Sequence, residues 1–136
     1  MIEYRDTADG ISIGQLEGFF VGWPNPPSPV THLRILQSSF AVELAFDAEQ
    51  QRVVGFVTAI SDGLLSAYLP LLEVLPEYQN QRIGSELVRR ILARLSHLYM
   101  VDVICDPEIE GFYASFNLQR RSGMVLRNYQ QQTGLC

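Results

Sequence analysis

The most regular pattern of apolar and polar residues in the chain follows residue 83. Apolar residues recur there at steps of three and four, with arginines mainly on the opposite side, which predicts an amphipathic helix that begins near Ile83. Arg90 and Arg94 fit the solvated face of such a helix. The apolar stripe comprises Leu87, Val88, Ile91, Leu92, Leu95 and Leu98.

Strand patterns occur before and after this helix. The segments FAVELAF and VVGFVTAI, joined by DAEQQR, predict an antiparallel hairpin, and a turn at residues 61–63 leads into a strand that ends at Leu75. The opening IEYRD predicts a first strand, and YMVDVIC predicts a buried one. We expect a last strand from Leu118 to Tyr129 and a frayed end over residues 130–136.

Proline positions set the boundaries of the other helices. A short helix is predicted over residues 11–21, and the prolines of GWPNPPSP cannot continue it. The Ser-Pro pair at residues 28–29 predicts a helix start with the serine hydroxyl as cap, and this helix would end near Ser38. The Asp-Pro pair at residues 106–107 repeats this arrangement before a short final helix. The order of elements predicts an α/β fold with one mixed sheet.

The composition fits a folded globular protein. The 136 residues are 47% apolar and 18% charged, so we expect a single domain over residues 1–136. The net charge of −5 disfavours a nucleic acid partner. No apolar run approaches the ~20 residues of a membrane span, and MIEYRDTADG lacks the apolar region of a secretory signal. We therefore expect no membrane partner and a cytoplasmic location.

The cysteines and histidines predict no special chemistry. Cys105 and Cys136 fit reduced thiols better than a disulfide framework, with Cys105 as a buried small residue. His32 and His97 lack the spacing of a metal site, and both are expected to be polar residues at the surface or at helix ends. No metal is expected.

The segment from Leu72 to Leu87 predicts a binding site for a diphosphate. It combines a strand, a proline, a polar loop and a helix start, whose first N–H groups have no intrahelical acceptor and favour an anion. Gly84 would let the backbone approach a ligand, although a purely structural role for this glycine is equally open. The absence of lysine excludes a Walker A loop, and the single glycine does not fit a Rossmann fingerprint.

The loop within this segment resembles the acyl-CoA loop of the GNAT superfamily of N-acetyltransferases. The family pattern is Gln or Arg, two residues, Gly, one residue, then Gly or Ala, and here Gln79 and Gly84 occupy its two ends. Arg82 stands where the family usually has its first glycine. We expect its guanidinium to contact a phosphate, for which its geometry is well suited.

Two further segments carry the same resemblance. Residues 112–118, FYASFNL, are similar to the family's FYxxxGF motif, with Asn117 in place of a glycine that adopts the left-handed conformation at a helix end. Asp106 stands where many members have an asparagine that touches the cofactor. FVGWPNPPSP is similar to a bacterial subgroup of small, single-domain members.

The resemblance implies a GNAT-like fold, with a central, mixed, mostly antiparallel twisted sheet flanked by about four helices. It implies acetyl-CoA as cosubstrate, a small-molecule amine as acceptor, and direct transfer in a ternary complex. It leaves a homodimer as an open alternative. The implied cofactor-binding residues are Val74, Leu75, Gln79, Asn80, Gln81, Arg82, Ile83, Gly84, Ser85, Asp106, Phe112 and Phe116.

The resemblance also implies chemical roles. A backbone N–H near Val74 would polarise the thioester carbonyl, and Tyr113 would donate a proton to the departing thiolate. Glu73 interrupts an apolar strand, which fits either a general base that attracts a cationic amine or a solvated strand residue. Phe20 and Trp23 are candidates for the acceptor pocket, although such aromatic residues are often core.

Two other functions stay open at this point. One is a non-catalytic acyl-CoA-binding module, which the departures at Arg82, Asp106 and Asn117 favour. The other is a site for a different diphosphate, such as a nucleotide.

Overall fold

The computed structural model describes residues 1–134, and a six-stranded sheet organises them. The sheet order is β1-β2-β3-β4-β6, with β5 also paired to β3. Only the β4–β6 pair is parallel, so the expected mixed, mostly antiparallel sheet is confirmed. The strands are β1 (Ile2–Arg5), β2 (Ala41–Asp47), β3 (Arg52–Ser61), β4 (Ser66–Tyr68), β5 (Leu72–Val74) and β6 (Met100–Asp102).

The β2–β3 hairpin forms the centre of the core, as its sequence predicts. All seven residues of β2 and residues 53–59 of β3 are buried, so the hairpin is covered on both faces. A register shift between Ala45 and Phe46 interrupts the ladder.

Two helices cover opposite faces of β3. Helix α2 (Ile83–Arg94) begins where the sequence predicts, and its Leu87 lies 3.2 Å from an ideal Cβ built on Gly55. Helix α1 (Pro29–Ser38) packs on the other face, where the ring of its His32 lies 4.4 Å from that of Phe56. The predicted cap of α1 is confirmed, because the Ser28 side chain accepts a hydrogen bond from the Thr31 backbone N–H at 3.2 Å. Glycine at position 55 allows α2 to approach the sheet.

The sheet divides beside β3. Strand β5 pairs with residues 55–57 of β3, whereas β4 pairs with residues 60–61 and carries β6 along its other edge. The single predicted strand ending at Leu75 is therefore two strands, separated by a segment that contains Pro70. Within residues 1–134, β6 does not pair with β5. The outer edge of β5 is left unpaired as a result.

The predicted helix over residues 11–21 is wrong. The segment contains only a 3-10 turn, Ile13–Leu16, and continues through Gly18 (φ +94°) and Phe20 (φ +63°). Left-handed residues cannot continue a right-handed helix. With α3 (Glu110–Ala114), the described residues form three α-helices instead of the expected four.

The C-terminal prediction also needs correction. No strand forms between Leu118 and Tyr129, where Met124 is 99% and Leu126 is 94% exposed. Strand β6 is short and partly exposed instead of buried, so it offers this segment little apolar surface to pack on.

The end of the described chain is ordered instead of frayed. Residues 129–131 form a 3-10 turn, and the Gln132 side chain accepts a hydrogen bond from the Asn25 backbone N–H at 2.9 Å. The predictions for residues 135–136, including the Cys136 thiol, lie outside the described residues.

Arg94 does not simply extend from a helix face into solvent. Its guanidinium donates to the Val42 carbonyl at 2.6 Å and lies 3.0 Å from the carboxylate of Glu43, which is 3% exposed. Arg90 pairs with Glu86 and lies 4.6 Å from the centre of the Tyr4 ring. Both arginines therefore hold α2 against neighbouring residues, contrary to the prediction of a merely solvated face.

No helix within residues 1–134 is long and apolar enough to cross a membrane.

Candidate functional site

The loop before α2 presents a row of unsatisfied backbone donors. The Gln79 N–H donates to Pro76 at 3.3 Å and the Glu86 N–H to Arg82 at 3.1 Å, but the N–H groups of residues 80–85 have no acceptor within the described chain. Asn80 (φ +65°) and Arg82 (φ +66°) are left-handed. Left-handed residues in a loop at a helix N-terminus form a concave set of amides that binds anions.

Arg82 occupies the cap position of α2 in the left-handed conformation. Glycine adopts this conformation without strain, which explains why a glycine suits the position. The Arg82 side chain is exposed and has no hydrogen bond or ion pair within residues 1–134. Its guanidinium is therefore available to an anion held by the loop.

Gly84 lies where three separate segments meet. An ideal Cβ on Gly84 would lie 3.8 Å from Val74 of β5 and 3.9 Å from the ring of Phe112 in α3. The Phe112 ring in turn lies 5.4 Å from that of Phe116. The structure thus brings together the loop, the strand and the helix that carry the predicted cofactor residues. Ser85 is exposed on the first turn of α2, and the Ile83 side chain is buried in the core.

The outer edge of β5 offers Val74 to a ligand. Leu75 donates to Val54 at 2.8 Å and Leu71 accepts from Thr58 at 3.1 Å, so alternate residues of this segment face β3. Val74 faces the opposite way, and its carbonyl accepts from the Gln79 side chain at 3.0 Å. The Val74 N–H therefore points to the unpaired edge.

Leu75 does not fit its predicted role in cofactor binding. Its N–H donates to Val54, its carbonyl accepts from Tyr78 at 2.9 Å, and its side chain is 1% exposed. It has become a core residue because the strand ladder continues one position past β5.

Tyr113 lies in a secluded position on α3. The residue is 6% exposed, and burial, followed by the nearby Cys105 and Tyr68, raises the pKa of its phenol to about 12. Burial also raises the pKa of the half-buried Cys105 thiol, which does not favour a nucleophile.

The ends of the α3 segment adopt the predicted backbone shapes. Asn117 is left-handed, with φ +70°, as expected for a residue that replaces glycine at a helix end. Asp106 occupies the predicted cap position before Pro107, but the predicted side-chain cap is wrong, because its exposed carboxylate accepts no capping hydrogen bond. That carboxylate is therefore free to face a ligand.

A cleft of about 410 Å³ lies on the α1 face of β5, opposite α2. Phe20 and Trp23 line it, with ring centroids 4.9 Å apart. Phe20 is 4% exposed and Trp23 38%, so the first is both core and cleft wall. The remaining lining residues are Val21, Phe56, Pro70, Leu71, Leu72, Glu73, Val74, Pro76 and Gln79.

Glu73 connects this cleft to the loop that covers it. Its carboxylate accepts from the backbone N–H of Phe20 at 2.8 Å and of Val21 at 3.2 Å. Glu73 is the direct cross-strand neighbour of Phe56, so both side chains face the cleft. It is neither a simple solvated residue nor a free carboxylate.

His32 lies behind the cleft wall, in the first turn of α1. Of the two predicted positions, at the surface or at a helix end, the surface position is wrong. His32 is 1% exposed, both of its ring nitrogens lack a partner within the described residues, and burial lowers its pKa to about 4. Its ring lies 4.9 Å from that of Phe20 and 4.4 Å from that of Phe56. The four-residue spacing from His32 to buried Leu36 is the sequence signal that could have indicated an inward position.

Comparison with known proteins identifies the family. The Acetyltransferase (GNAT) family profile matches residues 12–116, which include β5, the amide-rich loop and α3. The chain belongs to this family. A provisionally assigned acetyltransferase from Deinococcus radiodurans R1 shares 46% sequence identity with it and has a TM-score of 0.95, covering 99% of this chain and 94% of that one.

Two further relatives are more distant. The uncharacterized N-acetyltransferase ycf52 of Gracilaria tenuistipitata var. liui is 25% identical over 96 residues, which cover 68% of this chain and 53% of that protein. This GNAT chain therefore spans about half the length of that curated relative. AAC(6')-Iy, solved with the bisubstrate analogue CoA-S-monomethyl-acetylneamine, has the same fold, with 12% identity, a TM-score of 0.64 and coverage of 94% and 97%.

Proposed function

We propose that this GNAT chain, as a single domain, transfers the acetyl group of acetyl-CoA directly to the primary amine of a small molecule within a ternary complex. The observation that carries the proposal is the position of β5 between two sites. The amide-rich loop, Phe112 and the unpaired N–H of Val74 adjoin one side, and the cleft with Glu73 opens on the other. A thioester carbonyl at this edge would lie between cofactor and acceptor.

The loop would hold the diphosphate of coenzyme A. Its six consecutive free N–H groups, at the N-terminus of a twelve-residue helix, supply donors and a favourable dipole. Arg82 would add a charged contact from the same loop. The residues present therefore fit a diphosphate, and Asp106, Phe112 and Phe116 would border the rest of the carrier.

Val74 would stabilise the charge that develops on the carbonyl oxygen. Its N–H points to the open edge of β5, where an extended pantetheine arm can lie like an added strand. A fixed backbone donor at that position favours the oxyanion of the tetrahedral intermediate over the neutral carbonyl.

Tyr113 would assist the departure of the thiolate. A phenol with a pKa of about 12 stays protonated at neutral pH but gives up its proton less readily than a thiol. This raised pKa favours a hydrogen bond from the Tyr113 O–H to the departing sulfur over full proton transfer, with solvent completing the protonation of the sulfur.

Glu73 would serve as general base and as the attractor of the protonated amine. Each of its oxygens accepts one backbone hydrogen bond and has a further lone pair available. It would take a proton from the ammonium group directly or through a water molecule. The neutral amine then attacks the carbonyl carbon to form the tetrahedral intermediate. Collapse of this intermediate breaks the carbon–sulfur bond, and the nitrogen loses its second proton to solvent as the amide forms.

A non-catalytic acyl-CoA-binding module is the second candidate, and the departures from the family pattern favour it. Arg82 and Asn117 nevertheless keep the left-handed backbone that the replaced glycines would adopt, so neither changes the shape of its loop. Asp106 is the remaining departure, because an exposed carboxylate stands where many family members have an asparagine that touches the cofactor.

One experiment separates these functions. Consumption of acetyl-CoA is measured against a panel of primary amines, alongside calorimetric titration with acetyl-CoA. Acetylation of at least one amine supports the transferase. Tight binding without turnover of any amine supports the module, and preferential binding of ATP over coenzyme A supports a nucleotide site.

A further inference from the structure

The cleft beside β5 has a lining that selects for an apolar ligand. Nine of its eleven lining residues are apolar or aromatic. Of the two polar ones, Gln79 donates its side-chain amide to the Val74 carbonyl at 3.0 Å. The volume of the cleft, about 410 Å³, lies in the lower part of the range for small-molecule sites. A compact ligand with a largely apolar body fits these walls.

The charge of the cleft further restricts the class of ligand that it can bind. Glu73 is the only ionisable side chain among the described residues that line it. The chain contains no lysine and no arginine lines the cleft, so a phosphate or carboxylate on the acceptor would meet a negative charge without a compensating positive one. A polyamine would bring several ammonium groups to a single carboxylate. The single carboxylate of the cleft therefore matches a ligand that carries one ammonium group.

The aromatic wall is held in place by the same carboxylate. Phe20 adopts a left-handed backbone conformation, which is rare for a bulky residue, and its N–H is bound by Glu73 at 2.8 Å. This backbone places the Phe20 ring 4.9 Å from Trp23 and against the Phe56 ring at 6.1 Å. Aromatic surfaces at such separations pack well against another ring and also favour a nearby cation.

We propose that the acceptor is a small monoamine with an apolar, ring-bearing body, bound with its ring against Phe20 and Trp23 and its ammonium group at Glu73. The inference rests on the acetyl transfer proposed above and specifies its acceptor. Sugar phosphates and polycationic amino sugars are excluded by the same lining.

The test compares three acceptors with the wild-type chain, using release of the coenzyme A thiol as the readout. The acceptors are 2-phenylethylamine, glucosamine 6-phosphate and neamine. We expect kcat/KM for 2-phenylethylamine to exceed the other two by about ten- to a hundredfold, the gain that burial of one ring gives. A higher kcat/KM for glucosamine 6-phosphate or neamine would overturn the acceptor assignment while leaving acetyl transfer intact. Turnover of no amine would overturn both.

Variants test the aromatic wall itself. Trp23→Ala should raise the KM for 2-phenylethylamine about tenfold while leaving the KM for ethylamine, which lacks the ring, nearly unchanged. Tyr99→Ala is the matched control, because Tyr99 is 83% exposed and lies outside the cleft. An equal change in KM for both amines in Trp23→Ala would show that the aromatic wall does not contact the ring of the amine, and would contradict the proposal.

Discussion

The carboxylate of Glu73 fixes the backbone of Phe20, a residue 53 positions earlier in the chain, through a 2.8 Å hydrogen bond. Phe20 holds a left-handed conformation at φ +63°, and such strain persists only where surrounding contacts enforce it. One side chain thus shapes the aromatic wall of the cleft and supplies the only charge among the described residues that line it. Strand β5 and the covering loop act as one unit at the candidate site.

Glu73→Gln should lower kcat by about 10²- to 10⁴-fold, because the amide cannot accept a proton at neutral pH. The measurement is kcat at neutral pH with a fixed amine. Glu77→Gln is the control, since Glu77 is exposed and outside the cleft. An unchanged kcat would remove Glu73 from the base role.

Tyr113→Phe should lower kcat by about a hundredfold with little change in acetyl-CoA affinity, because the lost hydrogen bond forms only as the thiolate departs. Steady-state kinetics and calorimetric titration measure the two effects. Tyr129→Phe removes a hydroxyl from a residue that is 63% exposed and serves as control. Full activity of the Tyr113 variant would leave this tyrosine as a packing residue.

Arg82→Gly should raise the free energy of unfolding by about 0.5 to 1 kcal/mol, because glycine adopts φ +66° without strain but has more freedom when unfolded. The same change should weaken acetyl-CoA binding through loss of the guanidinium. Denaturant unfolding and calorimetry measure the two quantities. Gln51→Gly is the matched control, because Gln51 in the β2–β3 turn is also left-handed, with φ +53°. This variant should gain stability without a change in acetyl-CoA binding. Stronger binding by Arg82→Gly would contradict the phosphate contact.

His32 should make the protein less stable in mild acid. Its pKa is about 4 when folded and about 6.5 when unfolded, so the unfolded state binds more protons between these values. The free energy of unfolding should fall by about 3 kcal/mol as the pH drops from 6.5 to 4, with no further loss from this group below 4.

His32→Phe should remove that part of the pH dependence and raise stability at pH 7, because two unpartnered ring nitrogens are replaced by carbon. Denaturant unfolding of wild type and variant across this range gives the difference. His97→Gln removes an exposed histidine and is the control. Identical slopes for wild type and His32→Phe would show that His32 does not titrate as its burial requires.

Local patterns predict the elements whose partners lie close in sequence. The three- and four-residue spacing after Ile83 predicts α2, and the Ser28 cap predicts α1, because both signals are complete within a few residues. The hairpin of β2 and β3 follows from two apolar runs and a short turn. The convergence of Val74, Gly84 and Phe112 matches the family resemblance, which joins segments that no local pattern relates.

Features that depend on distant contacts escape such patterns. The rings of Phe20, in a loop, and of Phe56, in β3, pack around His32. Glu43 of β2 forms an ion pair with Arg94 of α2. The residues from Leu118 to Tyr129 have strand-like composition, but no ladder forms around them. A segment with strand propensity forms a strand only where a neighbouring strand is available to pair with it, which explains why the predicted last strand is absent.

The most direct test of the account is calorimetric titration of the folded wild-type chain with acetyl-CoA. The free amides of residues 80–85 predict a dissociation constant between about 1 µM and 1 mM, within the usual range of enzyme–substrate affinities. Because ATP lacks the pantetheine arm proposed to lie along the edge of β5, coenzyme A should compete more strongly than ATP. Absence of binding by properly folded protein, or displacement by ATP alone, would contradict the central claim that this loop holds the diphosphate of coenzyme A.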